Sequence, residues 1–170
     1  MKQIYKPRKI GIMAIFIAIG LVLQYIESRI LITPLPGGKL GLANIVSIIN
    51  IFMFGGQNAT VIAVIRALLG SLISGGAATA PYSAAGAFFS TLSMWGMKCF
   101  LYPRVSIIGI SITGAVFHNI AQLLVASVVY ATGYVFSYLP GLLIMALVSG
   151  MVTGYATQVF AKRALKEDIA

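Results

Sequence analysis

Acidic residues are almost missing from this chain: Glu27, Glu167 and Asp168 are the only three in 170 residues, and two of them lie in the C-terminal tail. No pair of carboxylates is therefore placed to hold Mg²⁺ or to run acid–base chemistry on a sugar or diphosphate. The pattern G-x-x-x-x-G-K-[ST] is absent as well, so the chain does not hydrolyse ATP by itself. The single Cys99 cannot form an internal disulfide and has no companions at metal-ligand spacing. The single His118 could pair with a serine, but no acid other than Glu27 would orient it. No catalytic residue, metal or cofactor is expected. Charged residues make up only 9% of the chain, against about 25% in soluble domains, which excludes a soluble protein.

What the chain has instead is apolar sequence: 59% hydrophobic residues and a mean hydropathy of +0.98. A span takes about 20 apolar residues, so the length accommodates roughly six spans and no soluble domain. Proline and glycine clusters place the breaks. The expectation is one all-α membrane domain over residues 1–170, with helices at about 9–32, 40–54, 59–73, 83–100, 105–130 and 139–161. The apolar run from Ile10 to Tyr25 exceeds the usual core of a signal peptide, so an uncleaved first helix is expected.

The net charge of +9 would suit nucleic acid, but its distribution does not. Lys2, Lys6, Arg8, Lys9, Lys98, Arg104, Lys162, Arg163 and Lys166 all fall on the side that holds both termini, nine of the twelve basic residues. Arg29 and Lys39 fall on the other side and Arg66 within a span. The positive-inside rule then predicts both termini in the cytoplasm of a multi-pass cell-membrane protein, with no nucleic-acid partner.

Polar residues inside spans mark function or helix contacts. Gln24, Glu27 and Ser28 share a face near the end of helix one. Arg66 lies mid-helix, either paired with Glu27 or facing an anionic substrate. Gly114, His118 and Gln122 form one stripe on helix five, with Asn119 beside it. His118 serves either a helix–helix bond or a ligand, and Asn50 bonds a neighbouring helix. In PLPGGKLGLAN, residues 34–44, Lys39 and Asn44 flank the start of helix two, where a cation and free backbone N–H groups could hold an anion. Tyr130, Tyr134 and Tyr138 read as an interface belt or as a stacking surface under a lid; Trp95 and Tyr102 read as the opposite belt. Small residues four apart (Ala14/Ala18, Gly70/Ser74, Ala146/Gly150/Gly154) allow close helix packing, inside the bundle or, on helix one, against another membrane subunit.

The blocks PGGKLGLANIVSIINIFMFGG, RALLGSLISGG, GAVFHNIAQLLVA and SGMVTGYATQ resemble the Gx transporter family, whose members are labelled heptaprenyl diphosphate synthase component I. The resemblance runs in order along essentially the whole chain. Its architecture is similar to the substrate-binding S components of energy-coupling factor (ECF) importers. That resemblance implies six membrane helices and capture of a small nutrient from outside. Delivery then depends on a transmembrane coupling subunit and two cytoplasmic ATPases. It implies docking through Ala14-x-x-x-Ala18, a gate over residues 33–41 with Lys39, and an outward-opening pocket consistent with His118, Asn119 and Gln122. Glu27, Asn44 and Arg66 join the expected binding set from their own positions in the spans. The substrate-specific residues of the vitamin carriers do not carry over. The cationic and neutral polar groups favour a polar or anionic ligand, and a quinone or isoprenoid precursor would reconcile the two labels. The synthase label itself implies aspartate-rich motifs that this sequence lacks. The alternatives are a non-catalytic scaffold for a prenyl synthase or an electron-transfer assembly, and a subunit lending a hydrophobic tunnel to such a synthase.

Overall fold

The computed structural model describes residues 6–30, 41–74 and 76–164. They form α1 (Lys6–Ile30), α2 (Ala43–Phe54), α3 (Gly56–Ser74), α4 (Ala80–Leu101), α5 (Ile107–Val129) and α6 (Leu139–Ala164), with short 3-10 turns at Ala77–Thr79 and Tyr134–Tyr138. Four segments are long and apolar enough to cross a membrane: Lys9–Arg29, Gly56–Ser74, Ile107–Val129 and Tyr134–Ala161. Burial is inverted relative to a water-soluble bundle. Leucine, isoleucine and phenylalanine side chains such as Ile15, Leu72, Phe89, Leu124 and Ile144 face outward, while Gln24, Glu27, Asn50, Arg66 and Thr153 are buried. A lipid solvent favours that arrangement, because exposed apolar side chains cost nothing there and polar groups must find partners inside.

The helices connect with short joints whose residues explain them. Gly55 alone separates α2 from α3 and takes φ +79°, a region a side chain would strain. Helix three thus begins at Gly56 rather than near residue 59. Its first residue has no Cβ because the Trp95 ring lies directly against it. α4 starts at Ala80, three residues before its expected position, with Pro81 in its first turn, where a missing N–H costs no helix bond. The Ser106 hydroxyl caps α5 by accepting from Gly109 N at 3.2 Å.

α2 is the hub. Twelve residues long, or about 18 Å, it is too short to cross a bilayer unaided. It touches each of the other five helices and carries buried Ile48 and Ile51, which meet Met94 and Ile110. The neighbours enclose Asn50 at 0% exposure, yet neither atom of its amide has a hydrogen-bond partner, so the bond to a neighbouring helix expected from the sequence is not made. The Lys98 ammonium donates to Ile51 O at 3.0 Å and lies 4.6 Å from the Phe52 ring centre. A cation is thus placed on the free carbonyls at the end of α2. Trp95 and Tyr102 are partly buried against the same core cluster, so they pack inward instead of forming an interface belt.

α5 and α6 approach most closely through small residues. A Cβ on Gly150 would meet Ile112 Cα at 2.6 Å, and one on Gly154 would meet Ile108 Cα at 2.7 Å. The Ser111 and Thr153 hydroxyls bond across the same interface at 2.9 Å. The Ala146/Gly150/Gly154 stripe is therefore an internal contact. Gly150→Leu is expected to push α6 from α5 and destabilise the bundle by about 1–3 kcal/mol or more; thermal unfolding in detergent measures it, with Val152→Leu on the lipid face close to neutral.

Candidate functional site

Among the described residues α1 packs on α2 and α3 alone, through the Phe16–Phe54 ring contact at 6.0 Å and through a polar stretch nearer its C-terminal end. Gly20, Gln24 and Glu27 recur at helical spacing and meet three different partners. Gly20 leaves room for the Arg66 side chain to lie across α1. Gln24 rests in the notch left by Gly70, where a Cβ would come within 2.6 Å of its amide oxygen, and its Oε1 accepts from Arg66 Nη1 at 3.3 Å. The Glu27 oxygens accept from Gly41 N at 2.7 Å and Leu42 N at 3.1 Å.

Glu27 thus caps the first turn of α2 from another helix. The residue at the N-cap position of α2, Leu42, has no side chain able to do so, and free N–H groups at a helix start require an acceptor. A carboxylate there also meets the positive end of the helix dipole. Arg66 donates to Gln24, Glu27 accepts from backbone, and the two charges attract through space. Both are buried, each 4% exposed. Arg66 Nε has no hydrogen-bond partner, an open donor that a buried site rarely tolerates without a ligand or water.

Five of the residues singled out in the sequence line one small cavity of about 50 Å³: Glu27, Asn44, Arg66, His118 and Asn119. Gln24, Ser83 and Ser149 complete its polar wall. The His118 ring packs over Gly86 of α4, where a Cβ would lie 2.8 Å from the ring. Asn119 Nδ2 donates to Leu142 O at 2.8 Å, tying α5 to α6, so its amide is partly committed to the fold. Gln122, one turn along from His118, lines a neighbouring chamber of about 520 Å³ instead. Lys39 lies outside the described residues. Gln24 is the member that the expected site lacked; the shared spacing of Gln24, Glu27 and Ser28 was the signal for it.

Three of the chamber's walls are tyrosines: Tyr82, Tyr130 and Tyr138. The hydroxyls of Tyr82 and Tyr130 approach each other from the start of α4 and the end of α5. Tyr134 points away and is almost wholly exposed. Among the described residues no group of three His, Cys, Asp or Glu side chains could hold a metal ion.

A profile described as heptaprenyl diphosphate synthase component I matches residues 16–160, which takes in α1 from Phe16 through most of α6. The chain belongs to that family. It is the family whose motif blocks the sequence resembles, and the match includes every residue that lines the two cavities. No curated protein and no solved structure matches the chain significantly.

Glu27→Ala is expected to free two N–H groups at the start of α2 and to lower stability by about 2 kcal/mol. Glu27→Gln, which keeps an acceptor without the charge, should lose roughly half of that. The shift in unfolding midpoint of the purified protein in detergent checks both.

Proposed function

We propose that this chain is the membrane-embedded substrate-binding subunit of an ECF-type importer and performs no chemistry of its own. The observation that carries the reading is the buried Arg66 at a polar cavity inside a lipid-facing bundle, with one donor open and Glu27 engaged elsewhere. Intramembrane charges of this kind mark substrate sites. In this reading all six helices cross the cell membrane with both termini cytoplasmic. α2 crosses inside a jacket of its neighbours, and the ends of α1, α3 and α5 face outward with the starts of α2, α4 and α6. The ligand is small and polar or anionic and enters from that side. Glu27, Lys39, Asn44, Arg66, His118, Asn119 and Gln122 form its binding set.

The partners in this reading are a transmembrane coupling subunit and two cytoplasmic ATPases. Support comes from α1, where Ala14 and Ala18 are exposed on a face with Ile15 and Ile19. Two small residues one turn apart leave a shallow groove into which another membrane helix can settle. The family description favours a second reading, a non-catalytic membrane subunit that associates with a prenyl diphosphate synthase.

Ala14→Leu/Ala18→Leu is the test. Filling the groove on an exposed face should leave the bundle and its cavity intact, so the importer reading expects uptake by cells to fall at least about tenfold while the purified variant keeps its bound compound. Normal uptake by the double variant would remove α1 as the docking face. Affinity capture of the wild-type chain then separates the two readings: ATPases in the eluate belong to the importer, a soluble prenyl synthase to the scaffold.

A further inference from the structure

We propose that the two cavities are a single bipartite site whose ligand is an aryl monocarboxylate. Its one acidic group sits at Arg66, and its planar, hydroxyl-bearing body fills the tyrosine-lined chamber. This deepens the binding-subunit reading and rests on it.

Continuity comes first. Gln24 and Ser83 line both cavities, so the small compartment and the large one adjoin at this pair, and in this proposal they form the waist between them. Gln24 is held there by the Gly70 notch and by Arg66. The ligand therefore has a narrow end and a wide end.

The narrow end is limited in size and in charge. A space of about 50 Å³ takes roughly three or four waters, which suits a carboxylate and is cramped for a diphosphate. Arg66 and Glu27 together contribute no net charge. A carboxylate has the guanidinium to meet and leaves one net negative charge, whereas a diphosphate would leave two or three in a low-dielectric interior. The open Arg66 Nε calls for an acceptor; the fork of a guanidinium takes a carboxylate or a phosphate, and the size and charge of the compartment select the carboxylate.

The wide end has a different chemistry. Its space of about 520 Å³ lies within the range of small-molecule sites. Tyr82, Tyr130 and Tyr138 present ring surface for a planar body, and their hydroxyls, with Ser71 and Thr79, can meet hydroxyl or carbonyl groups on its rim. Leu123, Val135 and Leu142 add apolar wall, and Ser28, Ser74 and Gln122 add further polar groups. A purely polar ligand, such as a sugar acid, would leave this surface poorly used, and a long isoprenoid chain would leave the hydroxyls without partners.

The experiment uses the full chain in lipid nanodiscs and a hydroxynaphthoate as probe, followed by its own fluorescence. Saturable binding is expected. The matching hydroxynaphthamide and acetate should each bind at least about tenfold more weakly, the first for want of charge and the second for want of a body. Inorganic diphosphate at the same concentration should not displace the probe. Tyr82→Leu should weaken the naphthoate and leave acetate unchanged, and Arg66→Gln should abolish the difference between acid and amide. Because Arg66→Gln removes a buried group and could impair folding, the acid–amide comparison on the wild-type chain decides alone. Equal binding of acid and amide, displacement by diphosphate, or no probe binding overturns the proposal. Native mass spectrometry separates that outcome from failure of the broader reading: a stoichiometric compound of another class keeps the binding subunit and discards the aryl acid. An empty chain that also binds no probe discards both.

Discussion

A guanidinium buried in a bundle whose outside is hydrocarbon is the constraint on which the rest of this structure depends. An unpaired charge at that depth is costly by any scale, so the surroundings of Arg66 must supply acceptors, opposite charge and exclusion of lipid. Each demand is met by a different feature. Gln24 provides the acceptor, Glu27 the opposite charge, and Gly20 the space for the side chain to lie between α1 and α3. Replacing any one of them leaves the others arranged around a charge they no longer balance.

The same three α1 positions also hold that helix to the protein. Among the described residues α1 meets only α2 and α3, with Phe16 against the Phe54 ring, and it turns Ile10, Ile15, Ile19 and Val22 outward. Lipid gives no hydrophobic reason for a helix to stay attached. Attachment therefore comes from close packing at Gly20 and Gly70 and from the polar contacts of Gln24 and Glu27. The cavity and the anchorage of α1 are one set of interactions.

Much of this organisation was legible in the sequence, for physical reasons that also mark where legibility stops. Scarce charge and long apolar runs can mean little other than helices in lipid, and Gly55–Gly56, Pro81 and Pro103 end or start them by backbone geometry alone. Helical spacing reveals which residues share a face, so Glu27, Asn44, Arg66, His118 and Asn119 could be named before their meeting place was known. Spacing says nothing about which helix a face meets. Only the structure shows that the Glu27 oxygens accept from Gly41 and Leu42 while its charge attracts Arg66 through space, and that Gln122 falls in the larger chamber. Trp95 and Tyr102 misled for the same reason: their position at a helix end fits a belt, but their rings turn toward the α2 core. The central place of α2 was hidden too, since a helix too short to span alone looks incomplete until five neighbours surround it.

The family description carries the name of a diphosphate-forming enzyme, and the cavity can be weighed against that name. Prenyl diphosphates carry two or three negative charges that enzymes neutralise with metal ions held by several carboxylates. This chain has one carboxylate among its membrane helices, and both of its oxygens accept backbone N–H groups at the start of α2. It cannot serve as a metal ligand without giving up the joint between α1 and α2. A role beside such an enzyme asks nothing of this carboxylate, and a role as its diphosphate-binding half asks for charges the site does not have. The physical chemistry of one glutamate therefore separates the two meanings that the family's name allows.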